Sequence, residues 1–95
     1  MPGRHRVLSS STFEKEARRI YRRDPRMREA LVEAVTLLES DPLNPDRRAN
    51  IRKLANVPAG EGRYRLRIGE YRLRYDVIGS DVFLHSVRLR GQSYR

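Results

Sequence analysis

Cysteine and tryptophan are absent from this 95-residue chain, and histidine occurs only at His5 and His85. The lack of cysteine excludes a disulfide scaffold and a thiolate zinc site, and it fits a reducing cytoplasm. Two histidines do not build a metal centre by themselves, because a structural site takes four ligands. The sequence therefore predicts a protein without a metal ion or a small-molecule cofactor.

Long apolar runs are also missing. No stretch approaches the ~20 consecutive apolar residues that a membrane-spanning helix needs. The first residues, MPGRHRVLSSSTF, are basic but contain no apolar h-region, so no secretory signal is predicted. A chain of 95 residues suits one domain with one core, and we expect residues 1–95 to form a single domain.

The strongest global property is a net charge of +9. Lys15 and Lys53 are the only lysines, so arginine supplies nearly all of the positive charge. A basic field of this size raises the local concentration of polyanions and speeds association with them. High arginine usage in a heat-adapted or GC-rich source would explain arginines on a helix surface, but it explains opposed arginines in a hairpin poorly.

The N-terminal half predicts a short strand followed by two helices. The strand covers residues 5–9, and a capping-box pattern at residues 11–14 (STFE) begins a helix that ends near residue 22, with Ser11 as the N-cap. Asp24 and Pro25 fit the cap and first position of a second helix, which runs to about residue 39. Apolar residues recur at helical spacing in both segments, so we expect an antiparallel helical hairpin.

Residues 63–78, RYRLRIGEYRLRYDVI, alternate between arginine and apolar side chains on both sides of a Gly-Glu pair. Period-2 alternation around a two-residue Gly-X linker predicts a β-hairpin with a type II′ turn. Pairing the strands across that turn gives an apolar face that carries three tyrosines, which we interpret as core. The opposite face is expected to expose Arg65, Arg67, Arg72 and Arg74. Directly opposed like charges destabilise a sheet, which favours an anionic partner such as phosphate.

The remaining segments leave two questions open. Residues 47–56 fit either an extended segment or a short helical turn. A second Gly-X turn at residues 79–80 leads into a strand over residues 82–89. Its apolar residues follow the even-numbered positions at the start and the odd-numbered positions at the end. The strand is therefore buried on both faces or carries a bulge. The expected fold is α+β, with an N-terminal strand and a helical hairpin packed on a small, mostly antiparallel sheet.

Several segments in order resemble the RelE/ParE toxin superfamily of prokaryotic toxin–antitoxin systems. They are Lys53-Leu54, the hairpin sequence YRLRIGEYRLRY at residues 64–75, and the C-terminal RLRGQSYR at residues 88–95. The hairpin followed by R-x-x-x-Y is most similar to the RelE branch, including archaeal members with an RGxxY-basic tail. The resemblance covers essentially the whole chain, and it implies the RelE-like fold.

Within the RelE branch, the resemblance implies a cytoplasmic, ribosome-dependent endoribonuclease that cuts mRNA in the A site. The ribose 2′-hydroxyl attacks the adjacent phosphate, which yields a 2′,3′-cyclic phosphate and a free 5′-hydroxyl without a metal ion. The expected partners are the ribosome, mRNA and a cognate acidic antitoxin. This chemistry requires donors for the charge that develops on the phosphate, a proton acceptor and a proton donor.

The resemblance also implies roles for individual residues. Arg72 matches the hairpin arginine that stabilises the transition state, Arg90 a basic residue that stabilises the phosphate and protonates the leaving group, and Tyr94 a tyrosine that stacks on the scissile nucleotide. The residues expected to bind RNA phosphates are Arg65, Arg67, Arg74, Lys53 and Arg88. Many family members carry lysine at the positions of Arg65 and Arg67, one of them a proposed general base. Arginine does not give up its proton at ordinary pH, so the base is open among Tyr94, a ribosomal group and no well-defined group at all.

Two other functions fit the same sequence. A ParE-like toxin shares the fold and acts on DNA gyrase, although it has no stated need for the Arg90 and Tyr94 pair. A non-catalytic RNA- or antitoxin-binding module is the second alternative, and arginine in place of lysine at Arg65 and Arg67 supports it. His85 is more simply read as a packing or hydrogen-bonding residue than as a catalytic one, although histidine is the usual acid–base group at neutral pH.

Overall fold

The computed structural model of the protein describes residues 5–43 and 50–89. Within these two ranges, two α-helices and five β-strands lie in the order strand, helix, helix and four strands. The elements are β1 (Arg6–Ser9), α1 (Ser11–Arg23), α2 (Met27–Ser40), β2 (Ile51–Lys53), β3 (Tyr64–Ile68), β4 (Tyr71–Ile78) and β5 (Asp81–Leu89). The predicted α+β class is confirmed, and the segment at 51–53 is a strand rather than a helical turn.

Both helices begin at positions that differ from the predicted ones. The N-cap of α1 is Ser10, not Ser11, and its hydroxyl accepts a hydrogen bond from the Phe13 N–H at 2.9 Å. Glu14 accepts from the Ser9 hydroxyl at 2.8 Å, so the reciprocal pair of the capping box is not formed. A run of three serines offers three possible caps, and the Ser10 hydroxyl is selected because it also donates to the His85 carbonyl of the sheet.

The second helix begins at Met27, two residues after the predicted first position. Asp24 ends α1 by donating its backbone N–H to Ile20, and its carboxylate accepts from the Arg26 N–H at 3.3 Å. A turn with hydrogen bonds from Met27 to Asp24 and from Arg28 to Pro25 leads into the helix. The Asp-Pro pair therefore makes the connection between the helices rather than the first turn of α2.

The five strands form one sheet in the order β1-β5-β4-β3-β2. The pair β1–β5 is parallel and the other pairs are antiparallel, as the mostly antiparallel prediction requires. The predicted register of the hairpin is confirmed, with Ile68 opposite Tyr71 and Arg67 opposite Arg72. Gly69 has φ +58° at the first turn position, which a type II′ turn requires.

The ambiguity of the last strand is resolved by a β-bulge. Tyr75 pairs with Leu84, while the preceding Arg74 pairs with Ser86, so His85 is the extra residue on β5. The bulge moves the apolar phase of β5 by one position, which keeps Val82 and Leu84 on the same face as Val87. The apolar residues at the start and at the end of β5 therefore both face the core, although they differ in register.

The core lies between the helices and one face of the sheet. The helices contribute Phe13, Ala17, Ile20, Leu31, Ala34 and Leu38, and the sheet contributes Leu66, Tyr71, Leu73, Tyr75, Val82, Leu84 and Val87. Each α-helix supplies these residues at a spacing of three or four, as an amphipathic helix does. Within the described part of the chain, neither helix is long and apolar enough to cross a membrane. Neither of the two described helices packs on the opposite face of the sheet, which bears the candidate site.

Candidate nucleic-acid interface

Six arginines occupy two rows across the face of the sheet that points away from the helices. We call this surface the arginine face, and its residues are Arg52, Arg65, Arg67, Arg72, Arg74 and Arg88. The first row pairs Arg52 with Arg65 and Arg65 with Arg74. The second row pairs Arg67 with Arg72 and Arg72 with Arg88. Strand pairing thus places like charges opposite one another on four adjacent strands, an arrangement that needs compensation from an anion.

The four hairpin arginines are not equally exposed, and the prediction that all four would be exposed is wrong. Arg67 is exposed, and its side chain makes no hydrogen bond to any other described residue. Arg65 and Arg74 are half-buried. Arg72 retains only 3 % of its surface. The register was right, so the error concerns the surroundings of the side chains and not the face on which they lie.

Arg72 is a buried cation with few partners. Its Nη1 donates to the carbonyls of Tyr71 at 3.1 Å and Gly69 at 3.3 Å. Its Nε is buried and has no hydrogen-bond partner among the described residues. A buried polar group without a partner is costly and needs an explanation, of which a functional role is one. The catalytic role of Arg72 stays a prediction.

Arg74 and Arg88 make contacts within the protein. Arg74 donates from Nε to the Gly62 carbonyl at 3.0 Å and from Nη2 to the Glu61 carbonyl at 2.9 Å. Arg88 lies 2.6 Å through its Nε from Oε2 of Glu16, whose other oxygen accepts from the Val87 N–H at 2.9 Å. Glu16 thereby covers part of the edge of β5 beyond the point where β1 ends. Both arginines were predicted to bind phosphate, and a phosphate would have to compete with these contacts.

Lys53 lies beside the first arginine row on β2, but its side chain is on the opposite face of the strand. Lys53 pairs with Tyr64, whose side chain lies on the apolar face of the hairpin. Its neighbour Arg52 pairs with Arg65 and lies on the arginine face. Lys53 is exposed and lies on the rim of a small pocket in the β2–β3 loop, together with Arg63. The strand therefore does not place the Lys53 side chain on the arginine face, and its phosphate contact stays a prediction.

Arg90 and Tyr94, the two predicted catalytic residues of the C-terminal tail, lie outside the described residues. The strand β5 ends at Leu89, one residue before Arg90, next to the row that contains Arg72. Only the first residue of the predicted catalytic set is therefore placed by the structure. No group of three or more potential metal ligands occurs in the two described ranges.

Sequence reasoning missed a buried carboxylate on this face that accepts three hydrogen bonds. Asp76 is 3 % exposed, and its carboxylate accepts hydrogen bonds from the backbone N–H groups of Gly60, Gly62 and Arg63. In the sequence, Asp76 appears only as one acidic residue among arginines. Gly-rich spacing at residues 60–62 was a weak signal, because it predicts a flexible loop as readily as a fixed one.

Comparisons with known proteins identify the family and support the fold. The family model described as the ParE toxin of the type II toxin–antitoxin system, parDE, matches residues 7–94. No curated protein sequence matches the chain significantly.

Solved structures of three other proteins have a similar fold. An archaeal RelE–RelB complex from Pyrococcus horikoshii OT3 has a chain with a TM-score of 0.72 and 22 % identity, covering 93 % of this chain and 97 % of that one. YafQ from Escherichia coli strain BL21(DE3) gives 0.73 and 15 %, covering 96 % and 99 %. A RelB–RelE antitoxin–toxin complex from Methanococcus jannaschii gives 0.64 and 24 %, covering 93 % and 95 %. At these identities the likeness establishes the RelE-like fold.

Proposed function

Since this chain belongs to the ParE toxin family of type II toxin–antitoxin systems, we propose that it is a toxin that cleaves mRNA in the ribosomal A site. The observation that carries this proposal is the pair of arginine rows on the open face of the sheet. A surface of this kind binds a phosphate backbone, because each guanidinium offers a planar fork of donors to phosphate oxygens. The structural likeness to RelE and YafQ chains agrees with the RelE-type sequence motifs.

The proposed reaction is a transesterification within one RNA strand. The 2′-oxygen forms a bond to the adjacent phosphorus, and the bond from that phosphorus to the 5′-oxygen of the next nucleotide breaks. The proton of the 2′-hydroxyl goes to a base, and an acid protonates the departing 5′-oxygen. The products are a 2′,3′-cyclic phosphate and a free 5′-hydroxyl, so no water, metal or redox partner is consumed.

In this scheme the exposed part of the arginine face binds the phosphate backbone. Arg67 is exposed and open to the backbone of the message, and Arg72 opposite it offers donors to the charge that develops on the phosphate. Arg90 and Tyr94 remain the proposed donor to the leaving oxygen and the stacking platform for the scissile nucleotide. Arg65 and Arg67 on β3 keep their protons at ordinary pH and cannot act as the base. The proposed proton acceptor is therefore Tyr94 or a ribosomal group.

A second candidate function follows from the family itself, whose description names ParE. A ParE-like toxin would act on DNA gyrase, although such a toxin has no stated need for the arginine rows. The two candidates differ in target and in product, so they can be separated directly.

One experiment distinguishes the candidates. A cell-free translation reaction is supplied with the purified protein, and primer extension maps breaks on the message, while a parallel supercoiling assay uses DNA gyrase. The mRNA interferase predicts breaks at codons in the A site that disappear when ribosomes are omitted. Inhibited supercoiling with an intact message would support the gyrase target, and activity in neither assay would leave a binding module.

We further propose a cognate antitoxin with an acidic segment. The net charge of +9 and the paired arginines need compensation in the inactive complex. The RelE-like structures from both archaea are complexes with RelB, which supports an antitoxin partner here. Co-expression with the protein of the neighbouring gene should yield a stable complex that no longer binds RNA. A complex in which RNA still binds with unchanged affinity would place the antitoxin on the helical side.

A further inference from the structure

The loop between β2 and β3 folds back onto the arginine face, where one buried carboxylate holds it. Asp76 accepts from the N–H groups of Gly60 at 2.9 Å, Gly62 at 2.9 Å and Arg63 at 3.1 Å. A buried charge is tolerated when several donors solvate it, and here three backbone donors replace water. The loop is therefore attached at three of its last four residues.

Arg74, two residues before Asp76 on the same strand, binds the backbone carbonyls of the same part of the loop. Its Nη2 donates to the Glu61 carbonyl, while the N–H of the same peptide unit, from Gly62, donates to Asp76. Both polar groups of this peptide are thus bound by neighbouring side chains of β4. The Nε of Arg74 adds a bond to the Gly62 carbonyl at 3.0 Å.

The contact between the loop and β4 is also close in space. Gly62 has φ +77°, and a Cβ at this position would lie 3.0 Å from Cβ and 3.1 Å from Nε of Arg74. A residue with a side chain at Gly62 would therefore force the loop and Arg74 apart. The base of the loop is closed separately, by a bond from the Leu54 N–H to the Arg63 carbonyl at 2.7 Å.

We infer that Asp76 and Arg74 form a clamp whose function is to position the β2–β3 loop as a wall of the RNA-binding surface. The inference rests on the proposed function in that RNA is the polyanion. Arg74 is then a positioning residue and not a phosphate ligand, because a phosphate reaches its Nε and Nη2 only by displacing two loop carbonyls. The phosphate backbone then runs on the side of the face away from the loop, where Arg67 is exposed.

A matched pair of substitutions tests this assignment. Arg67→Gln and Arg74→Gln each remove one charge from adjacent strands of the same face. Affinity for a single-stranded oligoribonucleotide is measured at several salt concentrations, and each phosphate contact contributes about 0.7 to the slope of log K against log salt. We expect Arg67→Gln to reduce the slope by about 0.7 and Arg74→Gln to leave it unchanged. An equal reduction in both variants would overturn the inference.

The position of the loop is measured without RNA, by amide hydrogen exchange. Asp76→Asn preserves the size of the side chain but replaces one acceptor oxygen with an NH₂ group, and Arg74→Gln shortens the reach to both carbonyls. Gly60 and Arg63 donate to Oδ1 of Asp76 and Gly62 donates to Oδ2, so asparagine can keep the first two bonds and loses the third. We expect the Gly62 amide to exchange about ten-fold faster in Asp76→Asn, as the loss of one hydrogen bond implies, and to exchange faster in Arg74→Gln as well. Unchanged exchange of the Gly62 amide in both variants would overturn the clamp.

The two measurements also separate this inference from the proposed function. If the wild-type protein binds no RNA and cuts no message, the proposed function fails, and the exchange data alone decide whether the clamp exists. If RNA binds with the expected slopes while the Asp76→Asn loop is loosened, both stand. A purely structural role for Arg74 would give the same contrast in salt slope with Arg67→Gln, but it would lower the melting temperature. Faster exchange of the Gly62 amide at an unchanged melting temperature therefore identifies Arg74 as a positioning residue.

Discussion

At the scale of single residues, the main departure from the sequence-based expectation is that Arg72 is buried. The alternation of arginine and apolar residues assigned Arg72 to the correct face of the sheet. It did not predict how exposed the side chain is, because burial depends on neighbours that are remote in sequence. The same reasoning made Arg74 a phosphate ligand, whereas its side chain contacts loop residues twelve and thirteen positions earlier. Sequence patterns thus determined the face of each arginine and not its partner.

Substitution of Arg72 should separate its catalytic contribution from its structural one. Arg72→Met keeps most of the buried volume and removes the charge, and replacement of a buried charge by an apolar side chain of similar size is often neutral or stabilising. We expect Arg72→Met to unfold at or above the wild-type temperature and to cleave mRNA about 10²–10³-fold more slowly, because a donor to the developing charge is lost.

The control for this substitution is Arg72→Ala, which also removes the buried volume. It should lose activity to a similar extent and destabilise the fold by roughly 1–3 kcal/mol. Chemical denaturation and A-site cleavage, measured on the same preparations, give both quantities. Wild-type cleavage by Arg72→Met would show that Arg72 has a packing role alone.

Tyr75 is the fully buried tyrosine of the sheet, and its hydroxyl donates to the Pro42 carbonyl at 2.6 Å. Burial raises the pKa of Tyr75 above its ordinary value, with a smaller effect from neighbouring Tyr64. Below the pKa of an unfolded tyrosine, about 10, both states are protonated and this residue makes no contribution to pH dependence. Above it the unfolded chain loses the proton first, so stability falls as pH rises.

We therefore expect Tyr75→Phe to lose about 0.5–1.5 kcal/mol at neutral pH, where the hydrogen bond to Pro42 is removed. Above pH ~10 the difference from wild type should shrink, because phenylalanine cannot titrate. Urea denaturation at pH 7 and at alkaline pH checks both statements. A constant difference across this range would mean that Tyr75 does not cause the alkaline loss of stability.

At the scale of elements, the hairpin could be predicted in full because its information is local. The arginine alternation and Gly69 fixed the turn, the register and the faces together. The last strand could not be predicted in this way, because the bulge at His85 depends on how β5 fits both β4 and α1. The backbone carbonyl of His85 accepts from the Ser10 hydroxyl, so the same contact also moved the N-cap of α1 from the predicted Ser11.

The two hairpin turns offer a test of backbone strain without steric change. Gly69 has φ +58° and Gly79 has φ +60°, and a Cβ at either position would meet no atom within 4 Å. Alanine at each should therefore destabilise the protein through φ strain alone, by roughly 1 kcal/mol after the gain from a stiffer unfolded chain. Equal shifts in the urea midpoint are expected. A much larger cost at Gly69 would mean that the turn has a contact beyond its backbone.

At the scale of the whole molecule, positive charge is present on both layers. The arginine face covers one side of the sheet, while exposed Arg18, Arg19, Arg22 and Arg23 lie on α1 in the helical layer. Composition predicted a polyanion partner, and the family match identified a toxin, but neither shows which layer touches RNA. The path of residues 54–63 was equally hard to predict, because its glycines fit a flexible loop as readily as one held against β4.

Kinetics can distinguish long-range attraction from contact. A double variant, Arg18→Gln and Arg22→Gln, lowers the net charge by two while leaving the arginine face intact. These side chains lie on the other layer, and the Debye length is about 10 Å at 0.1 M salt. We expect the double variant to associate more slowly with RNA at low salt only, with an unchanged dissociation rate, because steering acts on encounter.

The control is Arg67→Gln, which should instead dissociate faster at every salt concentration. Stopped-flow measurements from 0.02 to 0.2 M salt, a range that spans this screening regime, supply both rates. Faster dissociation of the double variant would place RNA on the helical layer as well, and the arginine face would then be one of two contact surfaces.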